Sequence, residues 1–206
     1  MWPFGRGKCK LIKEDKVWMH SAARYLNLTK DLKGLSGSGQ TVLLYCFFGD
    51  THSYLSEVLE KTQISFNLCS SSGQIISGKT NLILASVLMK EKQLQAFSVP
   101  TAPLEVLLPE HHPLFSVEED FFEALEAGGG EVVCRFYLSL DDPLFQLFGA
   151  GNIEQMMQRL GMTEEEHITH SMITQAIEKA QKKTEKNAKN MFGANSAKEW
   201  YKKNRS

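Results

Sequence analysis

The stretch "GQTVLLYCFFGDTHSYLSEVLEKTQISFNLC", residues 39 to 69, decides the fold class. Its run "TVLLYCFF" (41–48) is apolar throughout, with no polar alternation. Such a strand is covered on both faces, which is the condition of a strand inside a parallel sheet. "DTHSYLSEVLEKTQ" then reads as a helix. Asp50 can cap it, and Tyr54, Leu55, Val58 and Leu59 fall on one apolar stripe. "ISFNLC" is a second short strand. Strand–helix–strand is the crossover that joins parallel neighbours, so residues 41–69 predict an α/β fold, a parallel sheet with flanking helices.

Working outward, the same periodicities continue. "TNLILASVLM" (80–89) fits either a strand or a buried helix, and "LEVLL" (104–108) a strand. "SVEEDFFEALEA" is a helix ending at Gly128–Gly130, and "VVCRFYLSL" a strand. From Asp142 the pattern turns helical. "NIEQMMQRLG" has Asn152 as a cap and Gly161 as a stop. "TEEEHITH" opens with a capping box, Thr163-x-x-Glu166. "SMITQAIEKAQKKTEKNAK" places Met172, Ile173, Ala176, Ile177 and Ala180 on one face. Upstream, residues 1–36 are mixed, with a short amphipathic stretch around "HSAARYLNLTKDL", and "GLSGSGQ" (34–40) reads as a flexible loop. The expected organisation is an N-terminal segment (1–36), an α/β domain (37–143) and a helical extension with a basic tail (144–206).

A composition of 42% hydrophobic and 23% charged residues over 206 positions is that of a globular chain with room for one domain and an appendage. Cys9, Cys46, Cys69 and Cys134 are widely spaced, with no C-x-x-C pair, which favours reduced thiols in a reducing compartment. No stretch has the length of a signal peptide or a membrane span, so a cytoplasmic protein is expected. The net charge of −1 conceals an asymmetry: from Lys179 onward there are eight Lys and one Arg against Glu185 and Glu199. A solvated helix end explains this more simply than a nucleic-acid site. Lys182, Lys183, Lys186 and Lys189 gather along one side of the last long helix. They allow weak, peripheral attachment to an anionic membrane, with Trp200 and Tyr201 either at the lipid interface or packed onto the domain.

"GQIISGKT" (73–80) fits the phosphate-loop pattern G-x-x-x-x-G-K-[ST]. A working loop lies between a buried strand and a helix; its backbone N–H groups close on the phosphates, its Lys reaches the outer phosphates and its Thr holds magnesium. On that reading Gly73, Gly78, Lys79 and Thr80 bind ATP with magnesium. Against it, Ser70–Ser72 separate the strand from Gly73, and coincidence is the preferred reading. His111–His112 and His167-x-x-His170 lack the further ligands a metal site needs, and surface or capping roles are expected for them. Met156, Met157, Met162 and Met172 suit a core, or else a methionine-rich binding face.

"RFYLSLDDPLFQLFGAGNIEQMMQRLGM" (135–162) resembles the close of the second nucleotide-binding domain of the SecA preprotein-translocase family, which reads approximately S-R-F-Y-L-S-L-E-D-D-L-M-R-I-F-G before a helix ending in L-G-M. "HITHSMITQAIEKAQKKTE" resembles the start of that family's helical scaffold. "LEVLLPEHHPLFSVEED" can be laid on L-H-V-I-G-T-E-R-H-E-S-R-R-I-D-N-Q, keeping Glu110 and His112, and residues 39–69 follow the strand and helix that open the domain. The similarity covers about residues 39–185.

The resemblance implies a helicase C-terminal-like domain of the phosphate-loop NTPase class. It also shows departures. The family's Q-L-R-G-R-S-G-R-Q-G contributes arginines that stabilise charge on the γ-phosphate. In this chain the three arginine positions are Phe122, Ala124 and Ala127, and the glutamine position is Asp120. The T-N-M-A-G-R-G-T-D element, laid on "ASVLMKEKQ" (85–93), has lost its glycines, Arg and Asp. No counterpart of the first motor domain stands in these residues. The implied function is a non-hydrolysing interaction module related to protein translocation, with no catalytic residue and no cofactor. Its implied partner is a full translocase motor or another protein, and not nucleic acid. Nucleotide binding through residues 73–80 is the alternative.

Overall fold

The computed structural model describes residues 10–90, 104–128 and 130–204. Six strands, β1 (Lys10–Trp18), β2 (Thr41–Cys46), β3 (Phe66–Cys69), β4 (Thr80–Leu84), β5 (Leu104–Leu108) and β6 (Glu131–Ser139), form one parallel sheet in the order β1-β6-β5-β2-β4-β3. The helices are α1 (Ser21–Ser36), α2 (Gly49–Lys61), α3 (Ala85–Lys90), α4 (Phe115–Gly128), α5 (Ala150–Arg159), α6 (Ser171–Asn187) and α7 (Ala197–Asn204). The α/β class expected from residues 41–69 is the one observed.

Every residue of the central strands β2 and β5 is buried. Because successive side chains point to opposite faces, β2 divides its residues between two cores. Leu43 and Tyr45 join Val106, Cys134 and Phe136 beneath Phe121 and Leu125 of α4 and Ile173 and Ile177 of α6. Val42, Leu44 and Cys46 join Leu82, Leu107 and Tyr137 beneath Leu28 and Leu32 of α1 and Leu55 and Leu59 of α2. The ring of Tyr45 stacks on Phe121 with centroids 3.9 Å apart.

Several expectations are corrected. The charged segment "KLIKEDKVW" is the edge strand β1, paired with β6 from Lys10–Glu131 to Trp18–Ser139. Its lysines and acids hide it from a search for apolar runs, yet charge is how an exposed edge resists pairing with other chains. The ambiguous segment 80–89 is both things in turn: "TNLIL" is β4, and α3 follows from Ala85. Asp50 lies within the first turn of α2 and does not cap it; Phe48 holds the cap position. Gly149, at φ 96°, occupies that position in α5 instead of Asn152, a left-handed backbone that glycine adopts without penalty. Glu166 accepts from the backbone N–H of Thr163 (2.7 Å) and from its hydroxyl (3.0 Å), but these contacts close a turn and open no helix. The chain is drawn away there because Ile168 bridges to Val17 of β1. Of the T-N-M-A-G-R-G-T-D counterpart, residues 91–93 lie outside the described residues.

The helical part is packed onto the sheet. Leu144, Phe145, Met157 and Trp200 are buried in the α4–α6 core, so Trp200 anchors α7 to the protein. Met156 and Met172 are exposed. No helix among the described residues is long and apolar enough to cross a membrane. Phe145→Ala should cost about 3–5 kcal/mol of stability, as buried Phe-to-Ala changes do. Truncation after Leu140 should leave an aggregating fragment, because it uncovers the core under α6. Urea denaturation and size-exclusion chromatography check both; a soluble, cooperatively folding 1–140 fragment would contradict the packing described here.

Candidate functional site

Residues 73–80 do not form a strand-to-helix loop. Gly73 and Gln74 lie in a single 3₁₀ turn (Ser72–Gln74), Gly78 adopts φ 75°, and Lys79 and Thr80 run directly into β4. The segment carries the chain from the C-terminal end of β3 to the N-terminal end of its parallel neighbour β4. Several of its backbone groups are bonded to the sheet and to its own turn. The Gly78 N–H donates to Thr41 Oγ1 (2.8 Å), and the Lys79 carbonyl accepts from Val42 N–H (3.0 Å). The organiser is the fully buried Asn81. Its Oδ1 accepts from Ile76 N–H (2.8 Å), and its Nδ2 donates to the carbonyls of Ile76 (3.0 Å) and Lys79 (2.9 Å). The Thr80 hydroxyl is buried, without a hydrogen-bond partner, and Lys79 is exposed. Gly78, Lys79 and Thr80 therefore sit at the edge of the sheet opposite to the one where α/β folds hold ligands, while Gly73 stays in the turn beside the C-terminal end of β3, where Gln74 accepts from Ser70 N–H (2.7 Å).

That ligand-holding edge lies outside the carboxyl ends of the strands. Here the segments following β1, β2, β5 and β6 meet, and polar groups of the chain itself fill it. Glu110, after β5, accepts from the Phe48 N–H (3.0 Å) and the Thr51 hydroxyl (2.5 Å) at the start of α2. Burial pushes its carboxyl up to about 7, against the pull of those two bonds and of Arg24. The carbonyl of Asn195 accepts from Asp50 N–H (2.9 Å), and the Asn195 amide donates to the Asp50 carboxylate. A methyl group on Gly49 would collide with the Asn195 side chain, so glycine permits this close approach. Helix N-termini bind anions through unsatisfied N–H groups, and at α2 the chain supplies its own acceptors.

The Asp141–Asp142 pair is used in the same way. Asp141 accepts from Ser21 N–H (2.8 Å) at the start of α1. Asp142 accepts from Arg24 Nη1 (2.6 Å) and from Ser139 N–H (2.9 Å), while Arg24 also donates to the Pro109 carbonyl (3.2 Å). Ala197 and Tyr201 of α7 then close over Glu110 and Asp142, leaving a cavity of about 40 Å³. On α4, Phe122 and Ala124 are buried in the core, and Asp120 and Ala127 are exposed.

His111 and His112 depart from the surface or capping role expected of the histidines. His111 is buried between two carboxylates, with Nδ1 2.9 Å from Glu118 and Nε2 3.2 Å from Asp15. Asp15 also accepts from Thr174 of α6 (2.5 Å), and Glu118 from the His112 N–H (2.6 Å). Burial alone would push the His111 imidazole down; the Glu118 charge and the bonds to Asp15 and Glu118 outweigh it and raise it to about 10. His112 has no such partner: burial takes it down to about 4, and its ring stacks on Phe48 at 5.6 Å. His170 caps α6 by accepting from Met172 N–H (3.1 Å), as expected, and His167 packs on Trp18. Among the described residues no cluster of His, Cys, Asp or Glu is arranged to hold a metal ion. The signal for the His111 cluster lay in Asp15, Glu118 and Thr174, far apart in sequence and joined only by the fold.

A histidine raised in the folded state contributes stability that is complete below its ordinary value of 6.5 and is lost as pH rises through about 10. Urea midpoints should therefore decline between pH of about 7 and about 10, and His111→Gln should flatten that decline. An equal slope in the variant would show that His111 is neutral in the fold.

No protein-family model matches the chain. Among curated proteins, the protein translocase subunit SecA of Flavobacterium psychrophilum is 30% identical over 196 residues, covering 90% of this chain and 18% of the subunit. That of Acidithiobacillus ferrooxidans is 24% identical over 230 residues (89% and 25%), and that of Cytophaga hutchinsonii 27% identical over 196 residues (90% and 18%). Among solved structures, the C-terminal part of the Fun30 ATPase domain is similar with a TM-score of 0.41 and 12% identity, covering 78% of this chain and 54% of that one. The chain thus spans 18–25% of the length of these SecA relatives. Along nine-tenths of its length this chain is a relative of SecA, the counterpart of one segment of that protein translocase subunit.

Proposed function

We propose that this chain is a SecA-type second motor domain that has lost its part in ATP hydrolysis and serves protein translocation as a protein-interaction module. The observation that carries the reading is the burial of Phe122 and Ala124 in the α4 core. In the motor family the matching positions are arginines that face the γ-phosphate. A side chain turned into a core cannot do that, and an arginine that stabilises transition-state charge is worth roughly a thousand-fold or more in rate.

Two buried or half-buried arginines near the sheet are committed elsewhere. Arg24 is held by Asp142 and the Pro109 carbonyl, and Arg135 of β6 is paired with Glu14 and Glu105. The occupied start of α2 and the closed cavity over Glu110 support the same reading. The partner on this proposal is a protein, either a complete translocase motor or another component that recognises this fold. The site of action is the cytoplasm, with at most weak membrane contact through the basic tail.

Purified chain with Mg-ATP should show no turnover above background, and millimolar nucleotide should not raise its melting temperature. Turnover that is lost in Lys79→Ala would refute the proposal. A melting shift without turnover, lost in the same variant, would assign nucleotide binding to Gly73, Gly78, Lys79 and Thr80.

A further inference from the structure

A groove of about 270 Å³ runs between α6, α7 and the turn that follows β6. Its floor is apolar, built from Leu147, Phe148, Ala176, Ala180 and Trp200. Lys179 and Lys183 stand on its rim, exposed and one helical turn apart. No acidic residue lines it. The acids nearby on α6 and α7 are already engaged: Glu178 with Lys182, Glu185 with Ser116, and Glu199 with Lys203. Lys179 and Lys183 themselves make no ion pair with any described residue. An apolar trough thus carries two uncompensated positive charges along one side.

We propose that this groove receives an acidic amphipathic helix from a partner protein, with apolar side chains in the trough and carboxylates one turn apart against Lys179 and Lys183. This deepens the interaction-module reading and rests on it. Three features select the occupant. Small residues at 176 and 180 let a second helix lie close to α6, as helix-in-groove recognition requires. The volume falls just short of the roughly 300–1,000 Å³ of small-molecule sites, and suits one or two anchoring side chains. The apolar surface is also recessed: Trp200 is 4% exposed, whereas a flat membrane needs side chains that protrude. The charge pattern then fixes the sign of the partner, since opposite charge aids encounter and like charge opposes it.

The test uses the full chain and a fluorescein-labelled synthetic helix that bears Leu and Glu one turn apart on a single face, read by fluorescence anisotropy. A control peptide carries Lys in place of each Glu. The acidic peptide should bind in a salt-sensitive way and the basic peptide at least roughly tenfold more weakly. Lys179→Glu combined with Lys183→Glu should invert that preference, and Ala176→Trp, which fills the trough, should abolish binding of both. Thermal melts establish that each variant is folded, and the two variants test the site independently. Acidic-peptide binding unchanged by both variants would overturn the proposal, as would no binding at all. Binding of phosphatidylglycerol vesicles that Ala176→Trp abolishes, with the peptide inert, would make the groove a lipid site and also overturn it. Failure here in a chain without ATP turnover removes the groove alone; ATP turnover alongside peptide binding removes the hydrolysis-deficient reading alone.

Discussion

A parallel sheet has no face that water can cover, because its crossovers place helices on both sides and its central strands are apolar throughout. The rest of this structure follows from that constraint. The central strands β2 and β5 are buried at every position, so α1 and α2 must close one face and α4 and α6 the other. The helical extension is accordingly a structural part of the domain: Ile173 and Ile177 cover the sheet, and Leu144 and Phe145 fix the turn that leads to them. Burying each such side chain contributes roughly 1.5–3 kcal/mol.

The second constraint is the treatment of polar groups at the carboxyl edge. Buried carboxylates and cations destabilise a fold unless they are paired and hydrogen-bonded. Here Glu110, Arg24, Asp142 and the Asp15–His111–Glu118 cluster each find several partners from distant parts of the chain. Those partners tie β1, α1, α2, α4 and α6 to the strand ends. In α/β folds this edge is where ligands are held. In this chain its donors and acceptors are used to hold the fold together, and α7 lies across the top. On the outer surface of α6 and α7, by contrast, Lys179 and Lys183 are exposed and make no ion pair with any described residue.

The strands at 41–46, 104–108 and 131–139, with α2 and α4, were legible because each buries a periodic or continuous apolar run, and that information is local. The stop at Gly161, with φ 70°, and the stripe of Ile173, Ile177 and Ala180 belong to the same class. The similarity to SecA was likewise carried by short contiguous stretches.

What was not legible depended on residues that meet only after folding. A charged edge strand shows no apolar run, and β1 became a strand because β6 offered it a parallel partner. "GQIISGKT" satisfies a four-position pattern, but the pattern cannot say which end of the sheet its Lys and Thr occupy; Asn81 and Thr41 hold its second half at the N-terminal edge. Thr163 and Glu166 form one of the two capping-box bonds, from the Thr163 N–H to the Glu166 carboxylate, without a helix, since Ile168 pairs with Val17 of β1 just beyond them. His111 is a charged core residue only because Asp15, ninety-six positions away, and Glu118 converge on it. Sequence by itself determined which segments bury apolar surface, and so the fold class. Tertiary structure alone decided which polar groups face one another, because the stability of a buried charge depends on partners drawn from the whole chain.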